Sequence, residues 1–242
     1  MSVRDTLRLA VFDLDGTIVD SKANIVRAVH EAAAAMNVEP PPPHEIPRVI
    51  GLSLTEALGQ LFPTLERPRL LELDQAYRDC FVRFRTEPDY DEPLFAGTHA
   101  VLDALDADGV LLGIATGKAM RGVRHVLERH GLSKRFVTVQ TPEHAPGKPH
   151  PEMLYRAMAE TGAAPAQTVM IGDTSFDMLM ARAAGVAALG VSWGNHSVGE
   201  LHAAGAHRLV DRLDDLLRAV AHLTTPVSSP PSAPTLGGSG HE

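Results

Sequence analysis

The stretch L-A-V-F-D-L-D-G-T-I-V-D-S, Leu9 to Ser21, decides how the rest of the chain is read. Leu9, Ala10, Val11 and Phe12 form a short unbroken apolar run, the pattern of a strand buried on both faces of a parallel sheet. Two carboxylates, Asp13 and Asp15, follow at once, and Gly16 then turns the chain. Acids at the tip of a buried strand sit close together and partly desolvated, which is costly unless cations or hydrogen-bond donors meet them. The strand therefore presents acid to something positive. Taken alone, D-x-D-G also suits a turn before a helix, and that reading stays open at this point.

Working outward, 242 residues fit one large domain or a domain carrying an insertion, and a hydrophobic content of 44% supplies a sizeable core. A formal charge of -8 argues against a broad nucleic-acid contact surface, although a local basic pocket is compatible with it. Cys80 is the sole cysteine, which rules out an internal disulfide and suits a reducing compartment. Met1 to Leu7 has no long apolar core, so no signal peptide is expected. No segment approaches the roughly 20 apolar residues of a membrane span. These features predict a cytoplasmic protein with no nucleic-acid or membrane partner, as a monomer or homodimer.

After the first strand, Asp20 or Ser21 can cap a helix with apolar positions at Ile25, Val26, Val29, Ala33 and Met36, ending before the prolines at 40 to 43. Two further helices are expected near Leu54–Leu61 and Arg67–Arg85. From Ala96 the pattern changes. Helices at 98–107, 119–130, 152–161 and 178–184 alternate with short apolar runs at 110–115, 136–140, 168–171 and 186–191, followed by a strand at 208–210 and a helix at 213–223. This is the sequence form of a parallel sheet with helices on both faces. The expected fold is α/β, a Rossmann-like parallel core of residues 1–17 and 94–223, with a small helical unit of residues 18–93 inserted after the first strand. From 224 to 242 proline, serine and glycine dominate, the composition of a disordered tail.

In an open α/β sheet, ligands bind beyond the carboxyl ends of the strands, so the residues just after each strand belong together. They are Asp13 and Asp15, then Thr116-Gly117-Lys118, then Asp173 with Asp177 close behind, with Gly147-Lys148-Pro149 between. Asp13, Asp15 and Asp173 are hard oxygen ligands suited to Mg2+. Thr116 and the amides after it can donate to a phosphoryl oxygen, and Lys148 supplies compensating charge. Singly, Thr116 could be an N-cap, Lys148 a solvated lysine, and Asp173 and Asp177 helix caps. The order and strand-end placement of all four stretches favour a shared site.

These motifs, D-L-D-G-T from Asp13, A-T-G-K from Ala115, G-K-P-H-P-E from Gly147 and G-D-T-S-F-D from Gly172, resemble those of the haloacid dehalogenase superfamily, and within it the phosphoglycolate phosphatase-like subfamily. The resemblance spans residues 8 to 220. It implies that Asp13 is the nucleophile and forms an aspartyl-phosphate, and that Asp15 is the general acid and then the general base. Mg2+ would be held by Asp13, the Asp15 carbonyl and Asp173, with Asp177 ligating directly or one shell out. Thr116, Gly117 and Lys148 would bind the phosphoryl group. Residues 18–93 would be a mobile cap in which Lys22, Arg48, Arg83 and Arg85 are candidate cations for an anionic substrate, Arg48 foremost.

Dehalogenase and phosphonate-cleaving members of the superfamily lack an acid two residues after the nucleophile, so Asp15 favours phosphate esters. Phosphomutase relatives carry a histidine in the stretch matching Lys22 to Val29, which here has none, and Asn24 stands where relatives often carry an acid. The resemblance thus implies a Mg2+-dependent phosphatase of a small phosphorylated metabolite, phosphoglycolate first. The alternatives are a pyrophosphatase, a 5'-nucleotidase, or a phosphate-binding regulatory protein without turnover.

Overall fold

The computed structural model describes residues 7–224. Among them, six strands, β1 (Arg8–Phe12), β2 (Val110–Ala115), β3 (Thr138–Gln140), β4 (Thr168–Gly172), β5 (Ala187–Val191) and β6 (Arg208–Val210), form one sheet in the order β3-β2-β1-β4-β5-β6. Every pairing is parallel. The fold is thus a Rossmann-like α/β sheet. β1 lies at its centre, where the strand order reverses, and its carboxyl end opens onto the crevice that such a reversal creates.

Alternation along β1 explains its double-sided burial. Ala10 and Phe12 join one apolar layer with α4 (Thr98–Ala107), α5 (Met120–Arg129) and α9 (Leu216–Thr224). Leu9 and Val11 join the other with α6 (Glu152–Thr161), α7 (Ser175–Ala184) and α8 (Val198–Ala203). Each fully buried Leu, Val or Phe of these layers contributes roughly 1.5–3 kcal/mol relative to exposure.

The helices α1 (Lys22–Ala35), α2 (Leu54–Leu61) and α3 (Arg67–Phe84) gather a third cluster of their own, in which Ile25, Val29, Leu58, Leu73 and Phe84 are buried. A 3-10 turn, Ile46–Val49, buries Ile46 and Val49 in step with its three-residue period and leaves Arg48 exposed. The Arg27 guanidinium stacks over Phe84, 3.9 Å from the ring centre, while accepting carboxylates Glu31 and Glu87 hold it in place. The chain leaves and rejoins the sheet at adjacent points: Val19 bridges Leu94, Asp20 N–H donates to the Pro93 carbonyl at 2.8 Å, and Phe95 N–H to that of Ile18 at 3.0 Å.

Several boundaries differ from expectation. The third strand starts at Thr138 and not at 136, since Val137 is exposed. α7 starts at Ser175 and not near 178, because Thr174 and Asp177 form a capping box. α8 was not expected; Ser197 and Glu200 cap it in the same manner. α9 runs through the buried Thr224, and the expected tail beyond it lies outside the described residues. No helix among the described residues is long and apolar enough to cross a membrane.

Candidate active site

β1 ends in Asp13, whose N–H donates to the Ile171 carbonyl at 2.9 Å and so extends the sheet ladder by one residue. This fixes the backbone from which the side chain projects. Asp13 is almost fully buried, and Leu14 N–H donates to its Oδ1 at 2.7 Å. Gly16, at φ +88, turns the chain immediately afterwards; a Cβ there would collide with Asp173 and Asn195, so the turn tolerates only glycine.

Asp173, after β4, and Asp177, in the first turn of α7, are both fully buried. One carboxylate oxygen from each of Asp13, Asp173 and Asp177 lies within 4.8 Å of the others. Thr17 Oγ1 donates to Asp173 Oδ1 at 2.8 Å, and the Asn195 amide N–H and side chain donate to Oδ2 at 2.8 and 2.9 Å. Asp177 Oδ2 accepts from Thr174 N–H and Oγ1. Its cap role and its place in the cluster coexist, since the other oxygen, Oδ1, accepts from Lys148 Nζ at 2.6 Å.

Lys148, fully buried, also lies 2.9 Å from Asp13 Oδ2, although that oxygen accepts no well-directed hydrogen bond. Two of the three clustered carboxylates, Asp13 and Asp177, thus share one lysine. Burial, with Asp177 and Asp173 adding repulsion and Lys148 opposing, pushes Asp13 up to about 8. Burial and Asp177 push Asp173 up to about 6, against the donors Asn195 and Thr17. Burial works against the Lys148 ammonium, yet Asp13 and Asp177 raise its pKa. An excess of buried, hard oxygen donors with one poorly satisfied oxygen on Asp13 fits a divalent cation of the Mg2+ kind.

Asp15 takes the other side of the loop. Its Oδ1 accepts from Lys118 Nζ at 2.9 Å, and Lys118 reaches Glu92 Oε1 at 3.0 Å. Glu92 is fully buried, and its second oxygen accepts from Tyr90 OH at 2.9 Å. Burial disfavours the Lys118 ammonium, but Asp15 and Glu92 more than compensate and raise its pKa. The sequence placed Asp15 with the metal ligands and did not single out Lys118 or Glu92 as site residues. The lysine of A-T-G-K, directly behind two presumed phosphate donors, was the available signal; nothing marks Glu92 in D-E-P-L until the fold brings it beside Lys118.

Thr116 is buried after β2, its N–H donating to the Gln140 carbonyl, and its Oγ1 accepts from Lys118 N–H. Next to it, Gly117 packs so tightly against the 51–52 loop that a Cβ would strike the carbonyl oxygens of Gly51 and Leu52. The rim therefore brings together Asp13, Asp15, Thr116, Gly117, Lys148, Asp173 and Asp177. Arg48 is placed elsewhere: its side chain is exposed and outside the cleft, and only its carbonyl meets the site's surroundings, 3.2 Å from His196 Nε2.

Above Asp13, Asp15 and Thr116 a cleft runs between the sheet's rim and the helices. Its walls are largely apolar, including Ile25, Val29, Ile50, Leu58 and Phe81.

A parallel sheet with this strand order, carrying four acid, threonine and lysine stretches at its carboxyl edge, defines a class. The chain belongs to the haloacid dehalogenase-like hydrolase family, whose model matches residues 10–191. Among curated proteins it is similar to a probable phosphatase, IndB, of Dickeya dadantii, at 37% identity over 92% of this chain and 97% of that one. It is also similar to a phosphoglycolate phosphatase of Photobacterium profundum, at 30% identity over 88% of this chain and 96% of that one. Among solved structures, a hydrolase from Pseudomonas syringae superposes with a TM-score of 0.80 at 28% identity, over 90% of this chain and all of the other.

Proposed function

We propose that the protein is a Mg2+-dependent phosphatase that hydrolyses a small phosphorylated metabolite through an aspartyl-phosphate on Asp13. The observation that carries this reading is the division of the D-L-D stretch. Asp13 lies with Lys148, Asp173 and Asp177, whereas Asp15 turns toward Lys118 and the cleft.

Asp13, Asp173 and Asp177, with the Asp15 carbonyl, would hold the cation, which when bound neutralises the carboxylates and the phosphoryl oxygens. Thr116, the Gly117 amide and Lys148 orient the phosphoryl group. Asp13 attacks phosphorus in line, the bond to the ester oxygen breaks, and Asp15 gives that oxygen a proton. Water then attacks the acyl-phosphate while Asp15 takes its proton, which releases inorganic phosphate and restores both carboxyl groups. Residues 18–93 serve as a cap, closing over the rim to exclude water before the first step.

Phosphoglycolate is the first candidate from the sequence, in keeping with one relative's name. The test is phosphate release from p-nitrophenyl phosphate, with Mg2+ and with the metal chelated. Release that needs Mg2+ and is abolished in a folded Asp13→Asn variant is the expected result. Absence of release in both conditions would leave a phosphate-binding regulatory protein as the reading.

A further inference from the structure

The phosphoryl group is served by Asp13, Thr116 and Lys148 at the rim, so whatever leaves with the proton of Asp15 must occupy the cleft above them. That cleft has walls unsuited to a small anion. Glycolate would set a carboxylate among walls that include Ile50, Leu58 and Phe81, where burial of a charge is costly.

The nearby cations are mostly spent. Lys118 is held by Asp15 and Glu92, Arg78 by Asp74, and Arg83 by Glu31. Lys22 reaches the Gly194 carbonyl from an exposed position. Arg85 is different. It lines the cleft from the end of α3, on the stripe that carries Tyr77 and Phe81, two turns and one turn earlier. Among the described residues its guanidinium has no hydrogen bond or ion pair, and its Nε is buried without a partner. Arg121, likewise unpaired, lines the same cleft from the first turn of α5. There the cleft adjoins a second pocket to which Arg85, Arg121, Arg124 and His125 contribute, with Glu128 and Glu143 as the opposing charges. Phe81 marks the direction, because its ring lies 5.6 Å from Lys118 Nζ, on the Asp15 side, and Arg85 follows one turn beyond.

Resting on the phosphatase reading above, we propose that the leaving group is a largely apolar alcohol or phenol carrying an anionic group at the end remote from phosphorus, received by Arg85 and Arg121. The apolar body replaces water along Ile50, Leu58 and Phe81, and the distal anion gives the half-buried Arg85, with its buried Nε, and the exposed Arg121 the partner they lack.

Phosphate release by the full chain in Mg2+ tests this with para-carboxyphenyl phosphate, phenyl phosphate, phosphoglycolate and uridine monophosphate. The expected order in kcat/KM puts para-carboxyphenyl phosphate first and phosphoglycolate last. In Arg85→Gln, and independently in Arg121→Gln, the preference for the carboxylated over the plain phenyl ester should fall about tenfold, mainly through KM. Phosphoglycolate or uridine monophosphate as the best substrate would overturn the inference and leave the phosphatase reading standing. An unchanged preference in both variants would also overturn it. No release from any ester would instead sink the phosphatase reading, and this inference with it.

Discussion

Lys148 and Lys118 each pair with two carboxylates, one of which belongs to the D-L-D stretch, yet they are tied to different parts of the chain. The partners of Lys148, Asp13 and Asp177, both project from the sheet and its helices. Lys118 shares Asp15 with Glu92, which lies next to the point where the chain returns from the three helices, and the ring of Phe81 from α3 lies beside the same ammonium. The side that would meet metal and phosphorus is thus assembled by the sheet, the loop at Lys148 and the first turn of α7, with no part of residues 18–93. The side that would move a proton depends on how the returning segment is seated.

The strongest challenge to this contrast is Lys148→Met. It removes the one cation among three buried carboxylates, and the metal-free variant should lose about 3–5 kcal/mol in urea unfolding, because unpaired buried charges remain. Turnover should fall at least ~10³-fold, as for other groups that act only on the transition state. A stability within about 1 kcal/mol of the parent, the scale of an exposed pair, would mean that these acids are not desolvated as the geometry requires.

Glu92→Gln sharpens the other half. The side chain keeps its shape but loses the charge that helps to hold Lys118 against Asp15. The expected result is a fall in kcat of about 10- to 100-fold, with KM changed much less, since orientation of an acid/base group matters only once substrate is bound. Equal kcat in parent and variant would show that Asp15 is positioned without this relay.

Arg48→Ala should do least. Its exposed side chain lies outside the cleft, so stability should shift by no more than about 0.5 kcal/mol and kcat/KM should barely change. A loss of substrate affinity in that variant would mean that its side chain reaches the cleft in a conformation other than this one.

The sheet was legible because buried strands such as β1, β2 and β4 read as apolar runs, and these three end directly in the candidate site residues Asp13, Thr116 and Asp173. Local signals also existed where boundaries were missed: T-S-F-D and S-V-G-E are capping boxes that start α7 and α8. What could not be read was pairing across the fold. Lys118 and Glu92 stand 26 residues apart with no periodic relation, and only the crossing at Pro93 and Leu94 brings them together. Arg48 illustrates the same gap at short range, because a 3-10 turn and not an α-helix decides which of its neighbours face inward.

Gly117 gives the contact between the two parts of the chain a mechanical meaning. Its missing side chain lets the loop at Gly51 and Leu52 rest directly on the rim, carbonyl against backbone. One methyl group there, in Gly117→Ala, is a doorstop: it changes no charged residue, yet the loop at Gly51 and Leu52 would have to lift off the rim to make room for it.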